Sequence, residues 1–463
     1  MIYIGNTAYQ QKVKKQIELG KFDIVITNYH DALHFNFEND SYGNRCAVVD
    51  HTCDLYPEYR DWYNDKQVEV YDNKIFFSGH HILNNSFKIN AHASSGSFSF
   101  GNAIASKLEF TSFYKTNKIA KGDKVYVYYV VPIPSDYLAF VTVGIYIVDE
   151  IICSKYNYRY TCYDLMTEFD TTFETDDLYD YMESLNNITH KIRGFFEWLQ
   201  SKGYPVNINN GVFEPDANFF KNNYEEYYQA GQPVLDNWLT ANGCSEQYDS
   251  SINGGIPYTI RQLIQMIGTV MGLNFFMNEF GELCHNLEDN VGTINVTRAT
   301  AFSYSVGNTI SLYGLRYVDD VKNYVSDDPS EIGNGGYSII SSCKMLDNIS
   351  LERITALFAG TTVPHAIGIY NQIQQTYNSM MITDLDLRIL PSPLIQARDN
   401  VLFTDEDNNT FRGLITSVEE ILHGGTHIMC QVDKSMYDIE KINKQVLSDN
   451  QVNAIQLIVN NAQ

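Results

Sequence analysis

No stretch of this chain reaches the roughly 18 consecutive apolar residues that a bilayer-spanning helix needs. Its start, MIYIGNTAYQQKVKKQ, lacks the charged leader and long apolar run of a secretory signal. The sequence therefore predicts a protein made and kept in cytoplasm, without membrane insertion. Cysteine is sparse and unpatterned: Cys46, Cys53, Cys153, Cys162, Cys244, Cys284, Cys343 and Cys430 form no CxxC pair and no framework spacing, which predicts reduced, mostly buried thiols. Basic charge is scarce, with 32 Lys and Arg against 56 Asp and Glu and a formal charge of -24. Stable binding to nucleic acid needs clustered cations to neutralise phosphates, so that class is disfavoured. A surface past which DNA slides without adhering fits the balance, and solubility alone explains it more simply. Also missing are a G-x-S-x-G elbow, a Walker loop, a dinucleotide glycine fingerprint and paired carboxylates in a recognisable setting. No catalytic, cofactor-binding or metal residue is assigned, no cofactor is expected, and the chain reads as a non-enzyme.

What is present is a long, tyrosine-rich globular sequence. Its 463 residues, 44% hydrophobic and 19% charged, suit about two to four domains. From Asp23 to about Leu165 strand signals dominate. A hairpin is expected in QVEVYDNKIFFSGHHI, turning at Asp72-Asn73. Further strands follow in SGSFSFGNAIASKLEFTSFYK, KGDKVYVYYVVPI and LAFVTVGIYIVDEI, separated by turns at Gly122-Asp123 and Pro132 to Asp136. Between Asp176 and Leu199 apolar residues recur at spacings of three and four, predicting a helix ended by Gly203 and Pro205. Residues 207–255 read as irregular connection.

The stretch PYTIRQLIQMIGTVMGLNFFMNEFGEL reads as one compact αββ unit. Thr259 and Gln262 form a capping pair, while Ile260, Leu263, Ile264, Ile267, Val270 and Met271 make an apolar stripe. Gly272 is placed to end the helix in a left-handed turn. NFFM, the turn Asn278 to Gly281 and ELCH then form a ribbon expected to pack on that stripe. Strand signals resume from AFSYSVGNTISLYGLRYV to about Val432, interrupted by a partly helical stretch, and the polar end beyond Asp433 has helical spacing.

Several residue groups invite a chemical reading and decline it. Asp405, Asp407 and Asn409 open like a calcium loop, but Thr410 stands where Gly is required and Thr416 where Glu is, leaving an acidic hairpin turn. His423, His427 and Cys430 suggest zinc until Gly424-Gly425 breaks the helix that would align the imidazoles. His80 and His81, on a presumed strand, would point to opposite faces. Asp164 and Asp170 invite a glycosidase reading, although capping or turn carboxylates explain them more simply. The 34 tyrosines invite a sugar-platform reading, with interface and core packing the cheaper account.

The order of the pieces carries a resemblance. Gly101, Ala103, Ala105, Gly122, Asp123, Gly144, Tyr163, Asp164, Leu165 and Met166 fall where the first tube-like domain of the tail hub proteins of tailed bacteriophages has its characteristic residues. Arg261, Gln262, Gly272, Asn274, Gly281 and Leu283 are similar to that family's helix-and-hairpin insert. PLIQARDNVLFTDEDNNTFRGLITSVEEILHGGTHIMCQV resembles the strands of its second tube-like domain. The match runs from about residue 76 to 432, and the family extends to contractile secretion spikes and phage-derived bacteriocins.

The resemblance implies an α+β, mainly β fold with two tube-like antiparallel β-barrel domains and a helical/αββ insert between them. The corresponding divisions are an N-terminal β-rich region of uncertain role at 1–75 and a first tube-like domain at 76–170. An insert follows at 171–300, a second tube-like domain at 301–435 and a tail at 436–463. The implied role is a structural baseplate hub or tail-tip protein in the virion tail, assembled in host cytoplasm and serving host attachment and genome ejection. The implied assembly is a homotrimeric ring joining a sixfold tail tube to a threefold spike or fibre. Its partners would be the tail tube or distal tail protein, the tape-measure protein and the central spike or fibre, with DNA passing unbound. The alternatives are a tail-associated peptidoglycan hydrolase or peptidase, and a carbohydrate-binding receptor-recognition module.

Overall fold

The computed structural model describes residues 2, 4–28, 37–39, 42, 45–49, 69–70, 74–83, 85–94, 96, 98, 101–133, 137–172, 191–207, 259–271, 274–285, 292–311, 316–318, 323–325, 381–397, 399–422 and 424–432. The chain begins with helix α1 (Ala8–Glu18), then strands β1 (Asp23–Thr27), β2 (Phe37–Asn39), β3 (Arg45–Val49), β4 (Glu69–Val70) and β5 (Lys74–Ser78). Next come β6 (Lys88–His92), β7 (Lys107–Ser112), β8 (Lys124–Ile133), β9 (Tyr137–Cys153) and β10 (Tyr158–Asp164). Helices α2 (Lys191–Ser201) and α3 (Ile260–Met271) precede the ribbon of β11 (Phe275–Met277) and β12 (Leu283–His285). The remaining strands are β13 (Thr293–Thr297), β14 (Ala301–Ser311), β15 (Arg316–Val318), β16 (Asn323–Val325), β17 (Met381–Ile389), β18 (Asn400–Thr404), β19 (Thr410–Leu414), β20 (Ser417–Ile421) and β21 (Gly425–Cys430). The fold is mainly β, as the sequence implied.

One antiparallel sheet runs β14-β17-β21-β20-β6-β7-β10-β9-β8-β1-β5-β4, with β3 beside β9 and β2 beside β3. Its first half curls back on itself. The chain leaving β5 meets the end of β7 through a bridge between Ile82 and Ser112, with the Leu83 N–H donating to the Thr111 carbonyl at 2.8 Å. Alternation drives the curl, because β7 buries Leu108, Phe110 and Ser112 on one face while the intervening residues stay partly exposed. Inside, the Phe110 and Tyr160 rings stack at 4.7 Å, and Val13 and Ile17 of α1 join Ile24, Phe77, Val127 and Val141 in the same cluster. α1 starts with a capping box in which Thr7 and Gln10 satisfy each other's backbone N–H groups at 3.2 and 2.9 Å.

The second half, β14-β17-β21-β20, is covered by a smaller sheet, β13-β18-β19, whose first pair is parallel. Leu385, Leu387, Ile389, Val401, Phe403, Ile428 and Cys430 form the core between them. Gly413 permits the approach: a Cβ there would lie 2.6 Å from Cys430 Sγ and 2.9 Å from Leu385 Cδ1.

Several expectations change on this frame. Within residues 1–75, β1 pairs with β8 along Asp23 to Thr27 and with β5 along Val25 to Thr27. α1 is a helix inside a stretch read as β-rich. His80 and His81 lie in a 3-10 turn (Gly79–His81) and not on a strand, with His81 Nδ1 receiving the Ser78 N–H at 3.1 Å. The hairpin expected around Asp72-Asn73 is present as β4 and β5, and the helix expected from Asp176 to Leu199 is described only as α2. Gly272, the tyrosines Tyr224, Tyr227 and Tyr228 that a sugar platform would draw on, and the stretch beyond Asp433 lie outside the described residues.

Candidate functional site: a three-way junction

Several of the residues that carried the resemblance, Gly101, Ala103, Asp164, Met166, Arg261, Asn274 and Gly281, converge. The chain entering β7 passes the ribbon as a short parallel contact between Ala103 and Phe275. The Phe275 N–H donates to the Asn102 carbonyl at 2.7 Å, while Asn274 Oδ1 accepts both the Asn102 backbone N–H at 3.0 Å and its side-chain amide at 3.2 Å. Gly101 reaches this geometry with φ +80°, a conformation costly for residues with a Cβ. At the far end of β10, Asp164 accepts the Ser106 N–H at 2.8 Å and the Met166 N–H at 3.0 Å, capping a 3-10 turn (Leu165–Asp170). Arg261 of α3 reaches that turn, donating to the Met166 carbonyl at 3.1 Å and to Asp170 at 2.6 Å.

The αββ unit has the form its sequence predicted. Thr259 and Gln262 make the capping pair, with distances of 2.8 and 3.3 Å, and Ile260, Leu263 and Ile264 are buried. β11 and β12 pair from Phe275–His285 to Met277–Leu283 around the turn at Asn278 to Gly281. Gly281 has φ +71°, and a Cβ there would sit 2.9 Å from both Ile145 of β9 and Leu165. Phe196 of α2 contacts Phe275 with ring centres 6.0 Å apart, and the Leu283 N–H donates to the Pro205 carbonyl at 2.8 Å. The unit is thus fastened to the barrel by backbone bonds, one buried amide and one ion pair.

Where the barrel, the ribbon turn and the second module meet there is a cavity of about 80 Å³, lined among others by His92, Tyr146, Asp164, Asn278, Gln396 and Glu420. Glu420 comes from β20 and is 6% exposed; Tyr129 of β8 donates to its Oε2 at 2.7 Å. Burial pushes the Glu420 carboxyl up to about 7 against the lowering effect of that bond. Burial likewise raises Asp164 to about 6, opposed by its bonds from Ser106 and Met166 and by the charge of Arg261. Tyr146, 4% exposed, is raised by burial and by both carboxylates.

The sequence did not single out Glu420, although the adjacent Glu419 and Glu420 on a strand oblige one of them to face inward. Glu419 is the outward member, 3.3 Å from Lys88.

The tempting clusters separate. Asp164 serves as the cap of the 3-10 turn and Asp170 as the ion-pair partner of Arg261. Asp405 takes the N–H groups of Asp407 and Asn409 at 2.9 and 2.8 Å, closing the β18–β19 hairpin. His427 bonds Asp386 at 2.8 Å and Cys430 is buried in the core; His423 lies outside the described residues. Among the described residues no three metal-ligating side chains gather. Cys46, Cys162, Cys284 and Cys430 are buried free thiols and Cys153 is exposed.

No family model matches the chain, and no curated protein matches it. Solved structures similar to it are tail proteins of phages and a secretion-system component. The 43 kDa tail protein of prophage MuSo2 from Shewanella oneidensis aligns at 12% identity and TM-score 0.35, over 77% of this chain and 94% of that one. The prophage tail protein gp18 from Listeria monocytogenes aligns at 10% identity and TM-score 0.35, over 92% of this chain and 99% of that one. The E. coli c3393 protein, a component of the type VI secretion system, aligns at 8% identity and TM-score 0.27, over 76% of this chain and 74% of that one.

Proposed function

We propose that the chain is a structural hub or tail-tip protein of a tailed phage or phage-like contractile particle, acting by assembly and not by catalysis. The observation that carries this reading is the junction itself. Several residues in which the sequence resembles the tail hub family, among them Gly101, Ala103, Asp164, Arg261, Asn274 and Gly281, act there as cap, close approaches and inter-element bonds. Asp164 and Asp170, the two carboxylates that a glycosidase reading would pair, are engaged instead in capping the 3-10 turn and in the ion pair with Arg261 of α3. In this reading the barrel and the second module of each subunit stand side by side in a homotrimeric ring, giving six similar units around one axis. The ring joins tail tube to spike or fibre and lets tape-measure protein and DNA through, and the excess of acidic residues keeps DNA from adhering. β14 supports this, since only its β17 side is paired among the described residues, and an unpaired edge is completed by a neighbour.

Sedimentation of the purified chain tests the assembly. A trimer at micromolar concentration, seen as a ring by electron microscopy, is the expected result; a monodisperse monomer that also builds no ring in the particle overturns the proposal.

A further inference from the structure

Among the described residues the two β modules share one strand pair, β6 with β20, in register from Lys88–Ile421 to His92–Ser417, flanked by further backbone bonds such as Ile2 N–H to the Leu394 carbonyl at 2.8 Å and Phe98 N–H to the Gln431 carbonyl at 2.7 Å. Behind this pair lies the cavity described above, and its polar lining is unbalanced. Glu420 enters from the second module, Asp164 and Tyr146 from the barrel, and Tyr129 crosses the seam to hold Glu420. Asp164 has Arg261 close by, whereas Glu420 has no cation against it among the described residues. The other groups around it are the neutral Asn278 and Gln396 of the lining, Thr426 opposite it on β21, and His92. Burial lowers the His92 pKa, which favours the neutral imidazole.

We propose that this seam is a proton-loaded latch, closed while Glu420 and Asp164 hold protons and loosened when both ionise into the one cavity. A protonated Glu420 is a neutral group that still bonds Tyr129. An ionised one is a charge away from bulk water in a cavity that Asp164 also lines, and the cheapest relief is to part β6 from β20 and admit solvent.

The direction follows from linkage. Both carboxyls are raised in the folded chain, Glu420 from 4.5 to about 7 and Asp164 from 3.8 to about 6. Their favourable contribution is complete below the unfolded values and is lost as pH rises through the folded ones. The seam is therefore tightest near pH 4 to 5 and loosest above about pH 7.

Amide hydrogen exchange on the full chain, corrected for intrinsic rates, reads this directly. The opening constant of the β6 and β20 amides, relative to that of the β8–β9 pair, is expected to rise by about two orders of magnitude between about pH 5 and pH 8. Glu420→Gln should abolish most of that rise. A ratio that stays constant with pH, or a rise that persists in Glu420→Gln, overturns the latch. Should that variant fail to fold, Tyr129→Phe retains Glu420 but removes the donor that favours its charged form. It should steepen the pH dependence, and an unchanged slope overturns the proposal equally. Neither readout depends on oligomeric state, so this test and the trimer test fail separately.

Discussion

Asn274 offers one carbonyl oxygen to two donors of Asn102, and all of these atoms are buried. Removing the acceptor deprives both Asn102 donors of this buried bond, so Asn274→Ala should cost about 1–3 kcal/mol in a denaturant titration. Gly281 combines φ +71° with two methyl groups 2.9 Å from where a Cβ would be. Gly281→Ala should cost a further about 1–3 kcal/mol and lift the ribbon from Ile145 and Leu165. Neither role was visible as a role in the sequence. Asn274 and Gly281 were legible as turn and family positions, but that Asn102 would be the partner was not, because 172 residues separate them and no periodicity connects such distances. Glu420 was missed for a related reason: strand alternation says that one of two adjacent glutamates faces inward, but not that a tyrosine from the other module meets it.

The αββ unit was the most legible element because its information is local. A capping pair, an apolar stripe and turn residues lie within about thirty positions, and each says the same thing about the backbone. Thr259→Ala should lower stability by about 1 kcal/mol by uncapping α3. Leu263→Ala, which empties a fully buried site, should cost about 2–5 kcal/mol, read by the denaturation midpoint. If the unit is fastened as described, both variants should speed exchange of the β11–β12 amides more than those of β8 and β9. α1 escaped notice because its buried face is narrow, only Gln10, Val13 and Ile17, and a buried glutamine hides the pattern. The Thr7–Gln10 spacing was the available signal. β1 illustrates the general loss: it reads plainly as a strand, yet nothing in FDIVIT says that it belongs between β5 and β8.

The whole chain was legible as mainly β with a helical insert, and its motif order suggested two related modules; their fusion into one sheet was not, since strand neighbours far apart in sequence leave no local trace. The ring proposal and the latch are both properties of that fusion. If the seam responds to protons as inferred, the thermal midpoint of the chain should fall as pH rises from about 5 to 8, and Glu420→Gln should flatten the curve. The pairing of β6 with β20 also bears on synthesis. Lys88 and Ile421 are partners in the finished sheet, yet more than three hundred residues must be translated between them. Until β20 emerges from the ribosome, the outer flank of β6 is a bare template on a nascent polypeptide, open to any other extended segment in a crowded cell. Shortened products that stop before Ser417 should therefore clump, and a host chaperone that shields strand edges should matter more for this chain than its modest size would indicate.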